Sequence, residues 1–138
     1  MASGDILKGD LVTLADNQVI RGVKHFANRI AFLPQTTQTL AASDAILASE
    51  SVLIQVGGSG GAVTLTSEPT IAEGDPGQLL ILVGTSDANT VTIQDLGALA
   101  GSNVDMGGVN RTLGLSDYLV LIFNEETDNW EEIVFKNN

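Results

Sequence analysis

The chain has 138 residues, a formal net charge of −11 and no cysteine: one domain's worth of sequence, without a disulfide framework or a thiolate metal site. Its acidity opposes nonspecific association with nucleic acid, because a polyanion is repelled and no counterion release compensates. Hydrophobic residues make up 43% and aromatics only 4%, so the core must be built from aliphatic and β-branched side chains, which suits sandwiches and barrels.

At the N-terminus, Met1-Ala2-Ser3-Gly4-Asp5 lacks the charged and apolar regions of a signal peptide, and no later run approaches a membrane span. We therefore expect a soluble protein made in the cytoplasm, with no membrane partner. Through residue 20 the apolar pieces Ile6-Leu7 and Leu11-Val12-Thr13-Leu14 are interrupted by Gly9, Asp10 and Asp16. They are too few to fold alone and read as an arm that gains order by packing on something else. Charge is unevenly spread. Residues 1–29 carry Lys8, Arg21, Lys24 and Arg29 against three acids, a net of +1; the rest carries Arg111 and Lys136 against fourteen, a net of −12. Such an arm is either an ordinary solvated segment or one that docks on a larger, acidic assembly.

Asn17 to Pro34 holds Val19, Gly22, Lys24, Phe26 and Pro34 in a characteristic order. It resembles a short module that recurs in bacteriophage tail-fibre and related virion proteins, with His25 where threonine is commoner. A turn at Gly22 lets Phe26 and the strand around Ile30 and Phe32 pack against equivalent segments of neighbouring copies. We assign residues 1–35 to the arm and 36–138 to an all-β domain.

Residues 36–47 mix threonines, which favour a strand, with an alanine-rich stretch that could form two helical turns; an extended entry strand is the preferred reading. From Ser51 to Asp95, runs such as Val52-Leu53-Ile54-Gln55-Val56, Leu79-Leu80-Ile81-Leu82-Val83 and Thr90-Val91-Thr92-Ile93 are strands separated by turn residues. Gly57-Gly58-Ser59-Gly60-Gly61 reads as a hairpin turn, and Gly74-Asp75-Pro76-Gly77 as a turn with Pro fixing one dihedral and Gly supplying the positive one. An internal echo relates Val63-Thr64-Leu65 to Val91-Thr92-Ile93, and Pro69-Thr70-Ile71 with Leu79 to Leu82 to Arg111-Thr112-Leu113 with Leu119 to Ile122. Two related halves suit a sandwich or jelly roll.

The strands Leu79 to Val83 and Tyr118 to Phe123 lack polar alternation, so both faces call for cover. One face belongs to the domain's own second sheet; the other points to self-association. Leu80, Leu82 and Leu121 thus join Phe26, Ile30 and Phe32 as expected contacts between copies. The chain closes with a hairpin, Tyr118 to Asn124 and Trp130 to Phe135, whose acidic loop lacks the spacing of a calcium site.

No catalytic constellation stands out. The single histidine, His25, has no nucleophile-elbow serine to partner. The glycine run lies between strands and lacks the Lys-Ser/Thr ending of a phosphate loop. A glycosidase needs only two placed carboxylates, but nothing singles out a pair among seventeen acids. Trp130 and Tyr118 are the candidate sugar platforms, and at least one is expected in the core. We expect no enzyme, cofactor or metal.

Gln38 to Phe135 is also similar to a C-terminal β-domain of phage-associated proteins. The likeness rests on Gly60 to Thr66, Pro69 to Ala72, Gly77 to Leu80, Gly84 to Asp87, Asn89 to Thr92, Arg111 to Gly114 and Trp130 to Glu132. It implies a virion structural protein on the particle surface, usually a homotrimer. Because the chain starts at its own methionine with about thirty-five residues before the domain, at most ~3.5 Å each when extended, a capsid decoration, or cement, protein is the leading expectation. Its partners would be itself and the major capsid protein or another virion protein, with Lys8, Arg21, Lys24 and Arg29 as shell contacts. The alternatives are a short tail fibre or fibre tip and, from another class, a glycan-binding or glycan-cleaving module.

Overall fold

Short runs of Val, Ile, Leu and Thr, set off by Gly, Asp and Asn, form nine strands and no helix among the described residues, which in this computed structural model are 27, 29–34, 36–49 and 51–138. The chain divides into Met1–Ile30 and Ala31–Asn138. Of the first unit, residues 27, 29 and 30 are described, and they are exposed. The second holds β1 (Gln38–Leu40), β2 (Leu53–Gly58), β3 (Val63–Thr64), β4 (Leu79–Gly84), β5 (Val91–Ile93), β6 (Val104–Asp105), β7 (Arg111–Leu113), β8 (Tyr118–Asn124) and β9 (Asn129–Lys136).

Both sheets are mixed. The larger has the order β1-β2-β4-β8-β9-β6, with β1, β2 and β4 parallel, β8 antiparallel to β4 and β9, and β6 parallel to β9. The smaller runs β3-β5-β7, with β3 parallel and β7 antiparallel to β5. Parallel neighbours cannot be joined by a tight hairpin and need a crossover, usually a helix. Here the crossover from β2 to β4 contains a strand of the other sheet, β3. The coil then repeats, and its length sets the register in both sheets: Leu53 pairs with Ile81 and Val63 with Val91, each 28 positions on.

One core lies under both sheets. Ile54, Val56, Leu80, Leu82, Leu119 and Leu121 from the large sheet and Val91, Ile93 and Leu113 from the small one belong to a single buried cluster. Trp130 is fully buried in it, edge-on to Phe123 with ring centroids 5.3 Å apart. Its indole N–H donates to the Ala72 carbonyl at 3.0 Å, which satisfies the ring's one polar group.

Gln38–Leu40 is a strand, and the closing hairpin pairs β8 with β9, with a bulge near Val120. At Gly74 to Gly77 the Gln78 N–H donates to the Asp75 carbonyl at 2.9 Å, and Gly77 has φ 75°. The glycine run, in contrast, is not a hairpin turn, since β2 and β3 belong to different sheets. It is a corner, anchored where the N–H groups of Gly58 and Val63 donate to the carbonyls of Asn89 and Thr90. A Cβ on Gly58 would run into the Gly61 carbonyl oxygen, so the corner needs glycine for space as well as conformation. Only part of the echo survives as structure: Val63 and Val91 are equivalent rungs, whereas Ile71 bridges Ile46 and Leu113 pairs antiparallel with Val91.

Leu80, Leu82 and Leu121, expected as contacts between copies, are fully buried in the chain's own core. The reason is the two-residue period of a strand, which sends adjacent side chains to opposite faces even where both are apolar.

Candidate functional site

The side chains left outside by that alternation form the outer face of the large sheet. Register places Leu79 beside Ile122, Ile81 beside Val120 and Val83 beside Tyr118. Leu53 flanks Ile81 on β2, and Val134 flanks Val120 on β9. All are half-buried or exposed, in contrast to the sealed residues between them. The result is an aliphatic strip across four strands with charge at its two ends. At one end Glu131, opposite Ile122, accepts hydrogen bonds from the Asn124 amide at 2.8 Å and the Thr127 hydroxyl at 3.3 Å, and Asp105 of β6 lies beside it in register. At the other end Lys136, opposite Tyr118, holds its ammonium 5.9 Å from the Tyr118 ring centroid.

A second exposed apolar stretch precedes β1. Ile30 and Leu33 are 58% and 83% exposed and Phe32 is also exposed, while the Leu33 carbonyl accepts a hydrogen bond from the Ser51 hydroxyl at 3.0 Å. Arg29, beside it in sequence, is exposed too. Of the remaining expected contacts, Lys8, Arg21, Lys24 and Phe26 lie outside the described residues, as does His25.

The polar clusters inside the domain act as braces. Asp95, 2% exposed, accepts backbone N–H bonds from Gly97 at 2.8 Å, Met106 at 2.7 Å and Gly108 at 3.1 Å. Burial pushes its carboxyl up, but the three donors outweigh this and hold it below the usual carboxylate range. It thereby organises the loop between β5 and β7. Asp117 accepts from the Gly114 and Asn138 N–H groups, both at 2.7 Å, which ties down the C-terminal residue. Arg111 makes a bidentate pair with Glu132, and that bond, against some opposition from burial, raises its pKa.

Shallow depressions lie beside the acidic hairpin tip, at Pro76, Glu125, Glu126 and Glu131, and along the β1 edge, at Thr39, Asp44 and Leu47. Among the described residues no group of three or more His, Cys, Asp or Glu side chains could hold a metal ion, and no helix is long and apolar enough to cross a membrane. Trp130, one of the two candidate platforms, is core; Tyr118 is partly exposed on the outer face. The reading of the sequence missed Lys136, Glu131 and the outward members of β4 and β8. Once period-two alternation is applied to Leu79 to Val83, Leu79, Ile81 and Val83 are fixed as a set, but not which set faces out. No family model matches this chain, no curated protein matches it in sequence, and no solved structure matches it.

Proposed function

We propose that the chain is a structural protein of a phage virion surface, and specifically a capsid decoration, or cement, protein. In this reading residues 1–33 contact the shell through Lys8, Arg21, Lys24 and Arg29, and the acidic domain stands outward. In the same reading the domain is a sandwich, and the support for this is that its two sheets share one core. Three copies associate through Phe26, Ile30 and Phe32, the number being the one the family likeness implies. The protein is made in the host cytoplasm and works by mass action: a protein that binds only the assembled lattice shifts the equilibrium towards assembly.

The observation that carries the reading is the exposed stretch Ile30 to Leu33, an apolar run next to the cationic segment and ahead of a domain that carries nearly all the acid. Apolar side chains this exposed are what a contact between molecules would cover. The test is cosedimentation with capsid shells stripped of the protein. Full-length chain should pellet with shells, and a chain lacking residues 1–33 should stay in the supernatant while keeping its β-sheet circular dichroism. Equal binding by both would remove the arm from the mechanism.

A further inference from the structure

We infer that the outer face of the large sheet is a contact between two copies of this chain, packed antiparallel about Val120. Its apolar centre is contiguous: Ile81, Val120 and Val134 are neighbours across three strands, with Leu79 and Ile122 on one side and Val83 and Tyr118 on the other. Soluble monomers do carry apolar patches of this size, and the largest of them is often a contact surface.

Charge selects the occupant and its direction. The charged strand residues on this face are Glu131 and Asp105 at the hairpin end and Lys136 at the opposite end, and the hairpin loop adds Glu125 and Glu126 to the acidic end. Ile122, opposite Glu131, and Tyr118, opposite Lys136, lie two positions either side of Val120, or about 7 Å each way at strand rise. A half-turn about an axis crossing the strands at Val120 therefore lays Lys136 of each copy over the acidic end of the other and brings Val120 against its own copy. A copy laid parallel about β8 would set Glu131 over Leu79 and Lys136 over Val83, leaving both charges against apolar side chains without a partner. The face is self-complementary in one direction only, which is the signature of an isologous contact.

Four strands at about 4.8 Å and five residues at about 3.4 Å give a few hundred Å² per copy, less than a stable specific interface buries, so the pair is weak and transient and should depend on concentration. The inference does not rest on the virion reading. If copies also associate in threes through Ile30 and Phe32, the full particle has six.

Sedimentation velocity of the full chain over a wide concentration range should give an even number of copies, two or six, falling on dilution. Val120→Lys places like charges on the axis and should abolish pairing with the circular dichroism unchanged. Lys136→Glu should weaken pairing roughly tenfold at low salt, the loss of two opposed pairs, and the exchange Lys136→Glu with Glu131→Lys should restore it. The chain has no cysteine, so Tyr118→Cys mixed with Ile122→Cys should be joined by a short bismaleimide, matched to the face-to-face sheet spacing of about 10 Å, faster than either variant links to itself. One or three copies at every concentration, or faster self-linkage of either cysteine variant, would overturn the pairing.

Discussion

Arg111 grips Glu132 through two parallel hydrogen bonds, Nε to Oε2 at 2.7 Å and Nη2 to Oε1 at 2.8 Å, and so ties β7 of the small sheet to β9 of the large one. The guanidinium also sits 4.9 Å from the Phe135 ring centroid. One cation thus satisfies a partly buried carboxylate and covers an aromatic at the sheet junction. Planarity allows both, since a guanidinium can present two donors along one edge while its face lies on a ring.

Arg111→Lys should therefore not be conservative. An ammonium matches neither the fork nor the stack, and we expect a loss of about 1–2 kcal/mol in urea denaturation. Glu132→Gln should cost a similar amount, and the double variant less than the sum, because each single change leaves the other partner unpaired. Additive losses would mean the pair does not couple the sheets.

Gly74 lies under the aromatic pair, where an added Cβ would fall 2.6 Å from Trp130 Cζ2 and 2.9 Å from Phe123 Cγ. Its φ is not among the positive ones, so the constraint is space and not backbone strain. Gly74→Ala should cost about 1–3 kcal/mol by overpacking. The single tryptophan, Trp130, reports on it directly, and its emission should shift to the red as the ring is displaced. Trp130→Phe frees the space but leaves the Ala72 carbonyl without its donor, so adding it to Gly74→Ala should recover part of the loss.

Asp95 carries the clearest pH dependence. Its folded pKa is below the ordinary Asp value of about 3.9. Its contribution is thus present above that value and lost as pH falls through the lower folded one. Asp95→Asn cannot accept three N–H bonds on one amide oxygen, and should cost about 1–3 kcal/mol at neutral pH. The gap between the two proteins should narrow in thermal melts below about pH 4. A gap that stays constant into acid would mean the carboxylate is not the species that holds the loop.

The strand inventory was legible because Leu79 to Val83 and Thr90 to Ile93 are dense in β-formers between turn residues. Strand direction was not. Gly57 to Gly61 has the composition of a hairpin turn, and only the close approach of Gly58 to Gly61 makes it a corner between sheets. Likewise, a run apolar on both sides cannot announce which side is core, and composition alone does not separate Leu80 and Leu121, which are buried, from their outward neighbours. Arg111 and Glu132, 21 residues apart, stand in separate motifs that no local pattern connects. Local propensity fixes elements, while parallel register and sheet-to-sheet braces depend on the length of chain between them.

Leu80 and Ile81 turn this alternation into a measurement, for they are adjacent, of equal size and on opposite faces. Leu80 is fully buried against the core, and Leu80→Ala should cost about 2–5 kcal/mol at any protein concentration. Ile81 is only half-buried, beside Leu53 and Val120 on the outer face. Ile81→Ala should cost about 1 kcal/mol in dilute solution, since part of the side chain is already in water. As concentration rises and a second copy covers the face, its cost should grow while that of Leu80→Ala stays fixed, because only the outward residue gains burial from pairing. Denaturation midpoints for the two variants at low and high concentration separate these terms. Equal costs throughout would mean that β4 does not divide its apolar side chains between an inside and an outside.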